Sequence, residues 1–388
     1  MTSNQLTAYT GAKLFDGETW HDRAVLVVDG TTVAAISEAA PVGARVVALD
    51  GGILAPGLVD LQVNGGGGLL VGPGTTTADL AAICATHARF GVTALLPTLI
   101  TDTAETTEAV LTAGAVAARS GVPGFLGLHL EGPHLSLARK GAHDPALIRP
   151  MDEADLVRLE RARPLLPHLL VTVAAETVTP EQIARLVRAG IVVSIGHSDA
   201  SHAVATAAFR AGASMATHLF NAMSQIGNRD SGVVGAAIDH GAASAGLIAD
   251  GIHVSASSIG IALRSKRGPG RIVLVSDSMS QAGTDLASFA LNGRIIYRRD
   301  GALRLADGTL AGADLTLDRA VANAVSLLGI PLPEALRMAS LYPAQAIGAT
   351  SRGKLAPGAP AEFIHLSAQA EVQQTWMGGT RIGGQTAP

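Results

Sequence analysis

Hydrophobic positions follow two patterns along this chain. Near both ends they form short runs that stop at glycine-containing turns, with no long helical stretch. Arg23-Ala-Val-Leu-Val-Val28 runs into Asp29-Gly30, a dipeptide suited to a hairpin because both turn positions take positive φ. Val33-Ala-Ala-Ile36 follows, and Arg45-Val-Val-Ala-Leu49 closes at Asp50-Gly51-Gly52. Glu362-Phe-Ile-His-Leu366 and Gln374-Thr-Trp-Met377 repeat the pattern near the other end. Between about residues 54 and 352, apolar runs of strand length alternate with Ala/Leu-rich helical stretches. The strand candidates are Thr93–Leu96, Gly124–Leu128, Leu169–Val173, Ile191–Ile195, Ser214–Ala216, Ala245–Ile248 and Arg271–Val275, and Ile53-Leu54 brings them to about eight.

Strands that read as continuous apolar runs are buried on both faces, as in an all-parallel sheet. Their alternation with helices over about 300 residues predicts a (β/α)8 TIM-like barrel. The two β-rich ends are expected to pair into one small β-sandwich domain, residues 1–53 and 354–388, with the barrel of 54–353 inserted between them. Residues 285 to 312 break the alternation with Asn292-Gly293, Asp300-Gly301 and Asp307-Gly308. Three hairpin-type turns in so short a span predict a β-excursion from a βα loop, where substrate loops sit.

Composition narrows the picture. Hydrophobic residues make up 48% of 388 and charged residues 15%, with a mean hydropathy of +0.33, which fits a large buried core and excludes a disordered chain. A net charge of −4 argues against a nucleic-acid surface or a polybasic membrane patch. The single cysteine, Cys84, excludes an internal disulfide. No charged segment followed by an apolar core opens the chain, and no apolar run reaches transmembrane length. A soluble cytoplasmic protein is expected.

Chemistry concentrates in HLEGPHLSLARKGAHD, residues 129–144, which sets Glu131 among His129, His134 and His143. Carboxylate and imidazole are both ligands for divalent metals. Further on, IGHSDA carries His197, THLFNAM carries His218 and LVSDSM carries Asp277, each just after an apolar run. A parallel barrel delivers side chains to its active face at such positions. One Glu, two His and one Asp on four segments point to a metal-dependent hydrolase. Asp277 has a plainer reading as a helix N-cap, His143 as a loop histidine bonded to backbone, and His129 and His134 as residues that shape the loop.

Pro56-Gly57-Leu-Val-Asp60-Leu-Gln62-Val-Asn64-Gly65 resembles the first-strand motif of the amidohydrolase superfamily. Together with HLEGPH, KGAH, GHSDA, THLFNAM, DGIHV and SDSM it resembles the N-acetylglucosamine-6-phosphate deacetylase family. The resemblance implies one divalent ion per subunit, Zn2+ first with Fe2+, Co2+ or Mn2+ as alternatives, held by Glu131, His197 and His218. The superfamily's usual His-x-His is replaced by Gln62 and Asn64, weak ligands that are at most the vestige of a second metal site. Asp277 takes the role of general base and acid, and His143 contacts the carbonyl oxygen. The implied reaction releases acetate from N-acetyl-D-glucosamine 6-phosphate, in amino-sugar catabolism and cell-wall recycling. Asn221, Ala222, Arg229 and His253 match phosphate-binding positions; Ala142, Leu310, Ala311 and Gly312 line the sugar pocket. Arg229 is expected to reach the neighbouring active site of a homodimer. Two other readings stand beside this one: a superfamily hydrolase of another amide or imide, and a barrel that only binds sugar. The sequence does not separate N-acetylglucosamine from N-acetylgalactosamine phosphates.

Overall fold

The computed structural model describes residues 5–382; the first and last few positions of the expected end domain, 1–4 and 383–388, lie outside the described residues. Eight parallel strands form the central sheet: β1 (Leu58–Val63), β2 (Val92–Ile100), β3 (Gly127–Glu131), β4 (His168–Val173), β5 (Val192–Ile195), β6 (Met215–Ala216), β7 (Ser244–Leu247) and β8 (Ile272–Leu274). Each pairs with the next in parallel register, Glu131 lying beside Ile100 on one side and Thr172 on the other. The ring closes just beyond the end of β8. There the Asp277 N–H donates to the Gln62 carbonyl at 3.0 Å and the Asn64 N–H to the Ser278 carbonyl at 2.8 Å. This is the (β/α)8 barrel that the alternating pattern predicts.

Helices cover the outside of the barrel, and several start at residues that suit the position. Thr76, Asp152 and Thr179 each accept from the third backbone N–H of their helix, whose side chain returns a bond to the cap. Such reciprocal caps satisfy amides that have no partner within the helix.

The apolar run at Ile53-Leu54 is not a barrel strand. Ile53–Pro56 pairs with Lys13–Phe15 on one side and Phe363–Leu366 on the other, inside a six-stranded sheet. The chain crosses to the barrel at Gly57, whose N–H bonds the Glu362 carbonyl while the next N–H, of Leu58, bonds Gly91. A Cβ at Gly57 would lie 2.1 Å from the Thr93 hydroxyl, so only glycine fits this crossing. The true first strand was hidden from an apolar-run reading because its inward positions hold Asp60 and Gln62. The third strand likewise starts at Gly127 rather than Gly124 and extends through Glu131.

The six-stranded sheet and a four-stranded one, in the order Thr32–Ser37, Val25–Asp29, Thr7–Thr10, Arg45–Ala48, combine strands from both ends of the chain. Their facing surfaces share a core of Tyr9, Leu14, Leu26, Val28, Leu54, Phe363 and Trp376. The Phe363 and Trp376 rings stack at 4.7 Å, and Tyr9 meets both edge-on. Residues 288–304 form a separate three-stranded antiparallel sheet, Ser288–Leu291, Arg294–Arg299 and Ala302–Arg304. Asn292-Gly293 and Asp300-Gly301 make its turns, all four residues at positive φ.

Because Trp376 is 3% exposed at the centre of the end-domain core, Trp376→Ala should cost about 3–5 kcal/mol. The loss is expected as a lowered urea midpoint for that domain, with Leu49→Ala at the margin as the milder control.

Candidate metal and active site

Four of the polar groups that line one cavity sit at or just past the ends of barrel strands. Glu131 closes β3, His197 and His218 follow β5 and β6 by two residues, and Asp277 follows β8 by three. His197, His218 and Asp277 have φ of 47°, 26° and 49°. Left-handed backbone is unfavourable for residues with a Cβ, and it persists only where the surroundings over-determine it. Here the backbone turns out of the strand at the same residue that must aim a side chain inward.

Three atoms form a tight triangle. Glu131 Oε1 lies 3.0 Å from His218 Nε2 and 3.3 Å from His197 Nε2, and the two imidazole nitrogens are 3.1 Å apart. A tetrahedral ion with ligand bonds of about 2.0–2.1 Å spaces its ligand atoms about 3.3 Å apart, so the triangle fits one face of such a shell. His197 Nδ1 donates to the Arg139 carbonyl at 2.8 Å, which leaves the Nε2 lone pair toward Glu131. Burial opposes charge on Glu131 and on His218 alike. Yet the two imidazoles hold the carboxyl well below its ordinary range, and Glu131 raises His218. The triangle therefore calls for a positive charge between its members, a proton or a metal ion.

His143 is the rival third ligand, because Glu131, His143 and His197 also offer atoms within 4.8 Å of one another. Its bonds give it a different task. Nδ1 receives the Thr101 N–H at 3.3 Å and faces the Thr101 hydroxyl at 2.8 Å. Nδ1 is thus an acceptor, and the ring proton sits on Nε2, 3.9 Å from Glu131 Oε2. Burial, then the neighbouring His197, push the ring down to about 3, so it is neutral. A neutral imidazole with Nε2–H is a hydrogen-bond donor and a poor ligand through that nitrogen.

Gln62 and Asn64 do something the sequence did not suggest. Gln62 Nε2 donates to both Glu131 Oε1, at 3.0 Å, and Asp277 Oδ1, at 3.1 Å; Asn64 Nδ2 donates to Asp277 Oδ1 at 2.7 Å. The amides tie two buried carboxylates together. Burial and the Glu131 charge push the Asp277 carboxyl up to about 6, while His218 and the Asn64 bond pull against them.

The cavity holding these groups encloses about 340 Å3. Asn64, Glu131, His143, His197, His218 and Asp277 line it, as do Ala142, Asn221, Ala222 and His253. Leu310, Ala311 and Gly312, just after the three-stranded excursion, complete the sequence-derived set. Gln62 acts from behind the wall through its two bonds. Arg229 is not in the wall; it lies on an exposed loop. His129 and His134 are also elsewhere: His129 bonds Thr172 below the site, and His134 faces Asp155 at 3.5 Å. Thr101 and Arg139 were missed. Arg139 works through its carbonyl, which no side-chain pattern could signal.

The amidohydrolase family profile matches residues 53–382. The chain belongs to the amidohydrolase family. It is 40% identical over 331 residues to an N-acetylgalactosamine-6-phosphate deacetylase of Shewanella sp. strain ANA-3, covering 85% of this chain and 83% of that one. An N-acetylglucosamine-6-phosphate deacetylase of Haemophilus influenzae is 36% identical over 91% of this chain and 93% of its own length. The crystal structure of N-acetylglucosamine-6-phosphate deacetylase from Pasteurella multocida superposes with a TM-score of 0.93 at 35% identity, covering 97% and 99% of the two chains.

The geometry separates the two candidate third ligands. His218→Asn should lose a divalent ion in equilibrium dialysis, whereas His143→Asn should keep it. The reverse order would make His143 the ligand.

Proposed function

We propose that this amidohydrolase hydrolyses the acetamide of N-acetyl-D-glucosamine 6-phosphate to D-glucosamine 6-phosphate and acetate. The observation that carries the reading is the triangle of Glu131, His197 and His218 sharing one cavity with Asp277 and His143. Similarity to deacetylases of this class over most of the chain supports it. One divalent ion, with Zn2+ the first candidate and Fe2+, Co2+ or Mn2+ the alternatives, suits two imidazoles and a carboxylate. When bound, it supplies Lewis acidity toward water and the amide carbonyl.

The protein's own groups handle the protons. Asp277, ionised, takes a proton from the attacking water as the new C–O bond forms. His143 Nε2–H donates to the carbonyl oxygen as negative charge builds there. Asp277 then hands its proton to the amide nitrogen, the C–N bond breaks, and the sugar leaves as an amine. Gln62 and Asn64 keep Asp277 aimed through both transfers. The Asn221-Ala222 amides and His253 recognise the phosphate, with small side chains at Ala142 and Ala311 beside the sugar. Arg229 completes the phosphate site from the neighbouring subunit of a homodimer, which fits its exposed position outside its own cavity.

Identity of 40% with an N-acetylgalactosamine-6-phosphate deacetylase favours a second reading, in which the 4-epimer is the better substrate. Acetate release from both phosphorylated sugars and both free sugars tests these together. Strong preference for either phosphate over its free sugar supports the deacetylase reading; no release from any of the four contradicts it. Among the described residues no helix is long and apolar enough to cross a membrane. A cytoplasmic location is part of the proposal.

Asp277→Asn should lower turnover by roughly 10²–10⁴-fold, the scale for losing a general acid–base group, with the ion retained. The pH profile carries a sign. Asp277 is active when ionised, so kcat/KM should fall as pH drops through about 6 or below, a bound cation adding to the lowering. Asn64→Ala removes a bond that favours the ionised form, so its acid limb should move to higher pH. An acid limb unmoved by Asn64→Ala would detach the profile from Asp277.

A further inference from the structure

Asp250 matches none of the roles above, yet its carboxylate is built around the cavity residue His253. The two side chains are each 5% exposed, and Asp250 Oδ2 lies 2.5 Å from His253 Nδ1. The other oxygen, Oδ1, accepts the backbone N–H groups of Ile252 and His253, both at 2.8 Å. The turn sits between β7 and the helix Ala256–Ser265, and Asn323 Nδ2 steadies it by donating to the Ala249 carbonyl at 2.9 Å. Every oxygen of this carboxylate is therefore committed to one short loop, and one of the two is spent on the ring alone.

That commitment fixes the ring chemically. Burial opposes the charge on Asp250, but the His253 bond and the two backbone N–H groups outweigh it, and the carboxyl stays below its ordinary range. An ionised carboxylate only accepts, so His253 must carry its proton on Nδ1. With Nδ1 engaged, Nε2 is the ring nitrogen left for the cavity that His253 lines. The carboxylate behind the ring fixes its orientation and offsets positive charge that a dianionic group would draw onto it. Such a pair is a fixed, charge-assisted donor for a phosphoryl oxygen.

We infer that Asp250 is the positioning residue of the phosphate subsite: it holds His253 through Nδ1 so that Nε2–H is presented to the dianionic group of the substrate. This rests on the reading of His253 as a phosphate contact. A carboxylate needed only for the turn would use Oδ1 and leave the ring free, whereas here Oδ2 is within hydrogen-bond distance of the ring itself.

Asp250→Asn tests it on the metal-loaded protein. Asn keeps an oxygen for the two backbone N–H groups but offers nitrogen, not oxygen, to the ring. KM for the phosphorylated sugar should rise roughly ten-fold or more, the scale of a lost charge-assisted bond, while kcat changes far less. The preference for phosphorylated over free sugar should fall as it does in His253→Asn, and the double variant should be no worse than His253→Asn. Additive losses in the double variant, or a wild-type preference in Asp250→Asn beside a lost one in His253→Asn, would overturn the inference. An unchanged preference in His253→Asn would instead overturn the phosphate reading beneath it. Proton NMR of the wild-type protein labelled with 15N-histidine reads the pair without any substrate. A downfield Nδ1–H resonance that disappears in His253→Asn is expected, and its absence from the wild-type spectrum refutes the pair even if Asp250→Asn fails to fold.

Discussion

Two carboxylates buried a few ångströms apart, each needed ionised, set the constraint on which this site depends. In the proposed mechanism Glu131 keeps its charge to hold a cation, and Asp277 keeps its own to take a proton. Left alone in a low dielectric, one of them would be neutralised. Two devices prevent that. Imidazoles from β5 and β6 draw the Glu131 oxygen into a triangle that accepts positive charge. Amides from β1 give Asp277 two donors and share one of them with Glu131. Imidazoles at positions 62 and 64 would offer lone pairs to a second cation, and Asp277 would then be drawn toward that ion. Amide nitrogens offer only protons, which in the proposed mechanism leaves Asp277 free to accept one from water.

The barrel makes this arrangement possible at its seam. Asp277 belongs to the strand end that closes against β1, and its own N–H bonds the Gln62 carbonyl. Backbone closure and side-chain bonding therefore use the same pair of residues. Below them the buried Asp60 carboxyl accepts from the Ser276 and Gln62 N–H groups across the same seam, and burial raises it to about 7. Left-handed φ at His197, His218 and Asp277 adds a local backbone cost at the cavity wall. These three residues all line the cavity, and each is held by hydrogen bonds to other segments.

Much of this was written in the sequence, unevenly. Seven barrel strands stood out because runs such as Leu169–Val173 and Arg271–Val275 are apolar on both faces. The eighth, Leu58–Val63, did not, since its function requires polar groups pointing into the barrel. Its place came from a resemblance in motif rather than from periodicity. Glu131, His197, His218 and Asp277 were legible because a polar residue directly after an apolar run is costly unless it works. Gln62 and Asn64 were noticed only as absences of histidine; their bonds to two carboxylates needed three dimensions. Asp250 and Thr101 drew no reading of their own from the sequence, because their bonds to His253 and His143 appear only in three dimensions. Arg229 lies on an exposed loop, outside the cavity of its own chain.

A single cation beside two amides that bind the carboxylates is the arrangement proposed for this site. Elemental analysis of the protein purified without added metal, normalised to chain concentration, tests this most directly. One divalent ion per chain, retained when Gln62 is changed to Ala, is the result predicted. Two ions per chain at full occupancy in the wild-type protein would contradict it, because Asp277 would then be a ligand and not the base.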